Sequence, residues 1–178
     1  MLILIVDGQN LAHRCRHTFN LSVDGIDTSV TYGFLRTLHS TMLRYAPDVV
    51  IVCWDGGAPT YRRKFCPTYK NRDHSGDDTY DEFLEQVIEL QDVLPYFGVT
   101  SARKIGAEAD DLMYQAALLL SDDKVIMTTD QDLYQAVLAL EDVIVYSPTK
   151  DIEISKANFK EITEVEPDWH TWMTYRAM

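Results

Sequence analysis

The chain is 178 residues long, the size of one domain, and its 46% apolar and 25% charged content is that of a globular protein with a sizeable core. This excludes a disordered tail, a collagen-like repeat and a disulfide mini-protein. The formal charge of −12, from 28 acidic and 16 basic residues, argues against a nucleic-acid partner until the distribution is considered. Arg62, Arg63, Lys64, Lys70 and Arg72 crowd into one stretch that no acid interrupts before Asp73.

In chain order, Met1 to Val6 is an apolar run far shorter than the roughly 20 residues of a membrane helix. It lacks the preceding basic region and small-residue cleavage site of a leader, so Leu2–Val6 reads as a strand covered on both faces, and no membrane partner is expected. Helical spacing runs over Asn10–Phe19 and Thr28–Tyr45, with Leu35, Leu38, Met42 and Tyr45 on one face. Val49–Trp54 is a second buried strand, and the basic segment follows as a loop from Pro59 to Arg72. A polar patch, Asp73–Thr79, leads into a helix carrying Phe83, Val87, Leu90 and Leu94, closed by Pro95 and Gly98. A short strand near Val99 precedes a helix over Ala107–Leu120, and Lys124–Thr128 is a further strand. Leu133–Leu138 is helical, Val143–Tyr146 a strand, and Asp151–Ile154 one arm of a hairpin; helices near Ser155–Ile162 and Pro167–Met178 follow. The alternation predicts an α/β fold, a mainly parallel sheet with helices on both faces. Cys15, Cys53 and Cys66 are odd in number and show no C-x-x-C pairing, which predicts reduced thiols in a cytoplasmic protein.

Ligands of such a sheet bind at the carboxyl ends of its strands. Asp7 follows the first strand and Asp55 the second; Glu108, Asp110 and Asp111 open a helix after the third, and Asp130 and Asp132 follow the fourth. Each acid alone has a plain structural explanation: Asp-Gly after a strand is a turn, and acids in a first helical turn suit the helix dipole. Together they form one acidic rim whose members repel one another without cations. Hard oxygen donors with no His or Cys among them favour Mg²⁺ or Mn²⁺ over zinc. Glu108 and Asp111 share a helical face while Asp110 points aside, so all three face one cavity only if the helix begins here, with Glu108 in its opening turn.

A carboxylate-held metal beside a basic loop suits phosphodiester hydrolysis. Lys70 and Arg72 neutralise phosphate charge, Tyr61 and Tyr69 offer a face on which a base stacks, and Arg62, Arg63 and Lys64 supply salt-sensitive attraction. The plain alternative for this segment is a solvated charged surface.

The motifs as a set resemble the N-terminal catalytic domain of the bacterial and phage 5′→3′ exonucleases, the flap endonuclease family that includes the exonuclease domain of bacterial DNA polymerase I. They are Asp7-Gly8 with Arg14, His17 and Phe19; Tyr32-Gly33; Asp55 followed by Tyr61-Arg62, Tyr69-Lys70 and Arg72; Glu108-Ala109-Asp110-Asp111; and Thr129-Asp130-Gln131-Asp132-Leu133. The resemblance covers essentially the whole of these residues and implies a PIN-like parallel sheet whose acidic rim binds two divalent ions. It implies that Asp7, Asp55, Glu108, Asp110 and Asp111 hold the first ion directly or through water, that Asp130 lies between the sites, and that Asp132 faces the second. Lys70 and Arg72 then contact the scissile phosphate, and 73–80 matches the arch over the 5′ strand.

The implied activity is metal-dependent 5′→3′ exonuclease and 5′-flap endonuclease cleavage of DNA, including RNA-primed DNA, in replication or repair. The family continues with a Gly-Asp-x-x-Asp-Asn segment that completes the second metal pocket and a helix-hairpin module that grips duplex DNA. These residues stop at Met178, in a helix with Trp169, Trp172 and Met173 on one face. The expectation is therefore an incomplete second site, with a separate C-terminal DNA-binding chain or replication proteins as partners. Two other classes compete. A phosphatase using Asp7 as nucleophile wants a second Asp two residues on, where this chain has Gln9. A non-catalytic nucleic-acid-binding module would keep the fold without the chemistry.

Overall fold

The computed structural model describes residues 1–57, 60–69 and 78–177. The elements are β1 (Leu2–Asp7), α1 (Gly8–Thr18), β2 (Ser22–Val23), β3 (Ile26–Asp27), α2 (Ser29–Tyr45), β4 (Val49–Trp54), α3 (Thr60–Phe65) and α4 (Asp78–Val93). After a 3₁₀ turn, Leu94–Phe97, come β5 (Thr100–Arg103), α5 (Ala109–Leu119) and β6 (Asp123–Met127). A second 3₁₀ turn, Gln131–Tyr134, runs into α6 (Gln135–Ala139), followed by β7 (Val143–Ser147), β8 (Ile152–Ile154), α7 (Phe159–Thr163) and α8 (Trp169–Ala177).

Six strands form one sheet in the order β5-β4-β1-β6-β7-β8. All pairs are parallel except β7 with β8, where Val145 faces Ile154 across an antiparallel hairpin. The apolar run of β1 is explained by its central place, since strict alternation feeds both faces. Leu4 and Val6 join Val50, Val52, Trp54, Val125 and Met127 in a core closed by α1, α2 and α4. Ile3 and Ile5 join Cys53, Ile126 and Val145 in a second core covered by α5, α6, Phe159 and Trp172. The result is a helix–sheet–helix sandwich, the predicted class.

Three elements differ from the sequence reading. Residues 60–65 of the basic segment form a short helix, not a loop. A two-residue hairpin, β2–β3, turns at Asp24-Gly25 with both residues at positive φ (52° and 83°), the signature of a type I′ turn. Its strands are too short to show alternation. The helix expected near Ser155–Ile162 is confined to Phe159–Thr163, because the Asn158 side chain accepts from the Ser155 N–H at 2.7 Å and holds 155–158 as a turn. Among the described residues no helix is long and apolar enough to cross a membrane.

Candidate active site

Because β4, β1 and β6 are parallel neighbours, their carboxyl ends open on one edge, and the chain must leave each strand there. Asp7 is the last residue of β1 and the N-cap of α1: its Oδ1 accepts from the Asn10 N–H at 2.9 Å. Its Oδ2 accepts from the Thr128 hydroxyl at 2.9 Å, and Thr128 Oγ1 in turn accepts from the Asp130 N–H at 3.0 Å. Asn10 Oδ1 accepts from the Thr129 hydroxyl at 2.7 Å. One hydrogen-bonded seam therefore joins the ends of β1 and β6. Asp7 is only 4% exposed. Burial pushes its carboxyl up to about 7; the Asn10 hydrogen bond opposes the rise, and the nearby charges of Asp110 and Asp55 add to it.

Asp55 follows β4, and its Oδ1 accepts from the Ala109 N–H at 2.8 Å at the start of α5. The adjoining Gly56 makes this approach possible. A Cβ there would lie 1.7 Å from the Lys104 carbonyl oxygen, and the Gly56 N–H donates to the Ala107 oxygen at 2.8 Å. Glu108 is the N-cap of α5, reciprocated by Asp111, whose Oδ2 accepts from the Glu108 N–H at 3.3 Å in a capping box. The helix thus begins where the three-acid motif needs it to begin. Among the described residues, however, the three line two different cavities. Asp110 and Asp111 line a cavity of about 480 Å³ with Arg62, Tyr69, Tyr114 and Asp132. Glu108, with Gln9, Asp55 and Tyr80 of α4, lines a cleft of about 700 Å³. Asp130 caps the 3₁₀ turn through the Asp132 N–H at 2.9 Å, and Asp132 accepts from Arg176.

Two residues read as nucleic-acid contacts lie against the rim. Arg62 of α3 pairs with Glu108 and reaches Asp111 Oδ1 at 3.1 Å. The Tyr69 hydroxyl is shared between the two Glu108 oxygens at 3.1 and 3.2 Å, and Arg62 Nη1 donates to it at 3.1 Å. Glu108, 2% exposed, is thereby neutralised within the protein. Arg14 projects from α1 toward the Pro148 carbonyl at 3.5 Å, and Lys64 is exposed. Lys70 and Arg72 lie outside the described residues, as do the side chains of Tyr61 and Arg63.

The donor chemistry fits a hard divalent ion. All seven acids offer oxygen, and Asp7 is a buried carboxylate held among like charges, an arrangement that a cation relieves. The shell is not preassembled: among the described residues no three His, Cys, Asp or Glu side chains converge on one point. The carboxylates already accept from Asn10, Thr128, Ala109, Tyr69 and Arg62. Arg62 already occupies Glu108 and Asp111, so either could ligate an ion only by releasing it. Sequence reasoning missed Asn10, Thr128 and Arg176. Thr128 does carry a signal, as a hydroxyl residue just after a strand and two residues before an acid; Arg176 carries none local to the rim.

A family model for the 5′-3′ exonuclease N-terminal, resolvase-like domain matches residues 2–164. DNA polymerase I of Synechocystis is 30% identical over 94% of this chain, and the thermostable DNA polymerase I of Thermus aquaticus is 30% identical over 99% of it. The chain spans only 17% and 21% of these relatives' lengths. Among solved structures, the zinc-bound 5′-exonuclease of bacteriophage T5 superposes with a TM-score of 0.79 at 21% identity, over 100% of this chain and 66% of that one. The bacteriophage T5 flap endonuclease in a pseudo-enzyme–product complex with DNA and metal ions gives 0.76 at 21% identity, over 99% of this chain and 65% of that one. At such identity these likenesses establish the fold, which is the PIN-like nuclease sandwich. The match over residues 2–164, together with the 30% identity of polymerase relatives along nearly the whole chain, makes this chain a member of the 5′-3′ exonuclease N-terminal domain family.

Proposed function

We propose that this domain hydrolyses phosphodiester bonds of DNA from a 5′ end or at a 5′ flap, RNA-primed DNA included, with Mg²⁺ or Mn²⁺ as the ion. The observation that carries the reading is the buried Asp7, coupled to Asp55 and Asp110 at the carboxyl edge of a parallel sheet in a chain of this family. A bound ion there supplies charge neutralisation and an acidified water. The protein's residues do the rest. Asp7, Asp55 and Asp110 hold the ion, with Glu108 and Asp111 joining once Arg62 moves aside. Asn10 and Thr128 fix the orientation of the Asp7 carboxylate, one on each oxygen. Asp130 and Asp132 serve a second, weaker position. Lys70 and Arg72 meet the scissile phosphate, while Tyr61, Arg63 and Lys64 guide the 5′ strand.

The experiment is cleavage of a 5′-labelled flap duplex by this chain with Mn²⁺, with Mg²⁺ and with EDTA, alongside Asp110→Asn. Metal-dependent release of the flap that Asp110→Asn reduces at least a hundredfold supports the reading. Metal-independent binding with no cleavage under any condition would make the domain a binding module.

A further inference from the structure

Arg176 reaches the rim from 44 residues away in sequence, and its delivery is built into α8. Trp172 of that helix is fully buried, stacked on Tyr134 with ring centres 5.7 Å apart and 16° between planes, and edge-on to Phe159 at 5.2 Å. Four residues make about one helical turn, so Arg176 leaves α8 on the same face as Trp172. Tyr134 ends the 3₁₀ turn that Gln131 and Asp132 begin. Seating Trp172 on Tyr134 therefore places Arg176 over Asp132. Trp169, placed on this face by the sequence reading, is 39% exposed instead.

The contact has a particular form. Arg176 Nε and Nη2 both lie 2.8 Å from Asp132 Oδ1, and Nη1 reaches Gln131 Oε1 at 3.4 Å. A fork closed over both carboxylate oxygens would compete with a cation for Asp132. This one grips a single oxygen, and among the described residues no donor reaches Oδ2. Asp132 lines the same cavity as Asp110 and Asp111. The pair is also half open to solvent, with side chains 34% and 58% exposed. Such a pair contributes at most about 1 kcal/mol to stability, so removing the guanidinium should perturb the fold little.

We propose that Arg176 is a positioning residue for the second metal position: by holding Oδ1 it fixes the Asp132 carboxylate and leaves Oδ2 to ligate the ion. The proposal rests on the metal-dependent reading above. The test is a calorimetric Mn²⁺ titration, with bound ion counted by electron paramagnetic resonance, on the 178-residue chain and on Arg176→Ala, Arg176→Lys and Asp132→Asn. Partners that orient a ligating carboxylate are worth about 10–100-fold in metal affinity. Arg176→Ala is expected to weaken the weaker class of sites about tenfold and leave the tighter class unmoved. Asp132→Asn should abolish the weaker class, and Arg176→Lys, which keeps charge without the fork, should recover part of the loss. Metal-free thermal midpoints of the Arg176 variants should stay within about 2 °C of wild type, and buried Trp172 should keep its blue-shifted emission, as expected of an exposed pair. An unchanged or tighter weaker class in Arg176→Ala overturns the proposal alone. A wild-type chain that takes up no Mn²⁺ overturns the metal-dependent reading and the proposal with it.

Discussion

At Asp7 the proposed metal-binding role and the stability of the metal-free fold pull in opposite directions. Its carboxyl sits at about 7 because burial disfavours the charged form. The folded protein thus holds this proton more tightly than the unfolded chain, and stability falls as pH climbs from about 4 to about 7, then levels. The ionised form disfavours the metal-free fold by at most about 4 kcal/mol, from a carboxyl near 7 in place of 3.8. Asn at this position keeps the acceptor for the Asn10 N–H and offers Thr128 a donor in place of an acceptor. Asp7→Asn should therefore raise the urea midpoint in EDTA, by less at pH 5 than at pH 8, and should blunt the stabilisation that millimolar Mn²⁺ gives wild type. A gain independent of pH would mean that the Asp7 carboxyl is not the source of the strain.

At the scale of elements, α3 and α5 are held together across the rim by Arg62, Tyr69, Glu108 and Asp111. Removing the guanidinium leaves a buried carboxylate with less compensation, which costs roughly 1–3 kcal/mol. Arg62→Ala should lower the thermal midpoint in EDTA by several degrees, and the deficit should shrink in Mn²⁺ because an ion at the same carboxylates replaces the missing charge. A deficit that Mn²⁺ leaves unchanged would show that ion and guanidinium do not share Glu108 and Asp111. Much of this architecture is legible in the sequence. The apolar runs of β1 and β4 could only be central strands, and the acids after each strand had to emerge on one edge. The motif spacing states only the condition that the helix begin near Glu108; that it begins at Ala109, with Glu108 as the cap and not inside a helix from Ala107, is seen in the structure. What stays hidden is tertiary. Nothing in the basic run 62–72 states that Arg62 turns toward the acids while Lys64 stays in solvent, and nothing near Asp132 states that a helix 44 residues on returns to meet it. The β2–β3 hairpin escapes for a different reason: its Asp24-Gly25 signal is clear, but two-residue strands have no period to read.

The 178 residues together carry a charge of −12, so under the proposed function DNA would have to be drawn in against the net field by the few basic residues of the 62–72 run. Replacing Arg62, Arg63 and Lys64 together by Ala should flatten the dependence of log affinity on log salt by up to about 3, near 0.9 for each phosphate that is no longer neutralised. Under the role proposed for Lys70, Lys70→Ala should instead slow single-turnover cleavage at saturating enzyme at least tenfold with a smaller effect on binding. An equal loss in both would place Lys70 with the association residues.

The order of strands also sets a timetable for folding. β1, made before the other five strands of the sheet, lies in its middle, and its two partners are synthesised much later: Ile3 pairs with Val49 and Leu2 with Asp123. Until β6 leaves the ribosome, β1 has one open edge of unpaired amides and carbonyls on a strand that is apolar on both faces. Thr128 likewise reaches Asp7 only at that late step. The nascent chain therefore passes through a stage that is sticky and has no assembled site, and pairing over such separations is slow. Fragments ending before residue 123 should aggregate, and a circular permutant that begins at β6 should refold faster than the natural order.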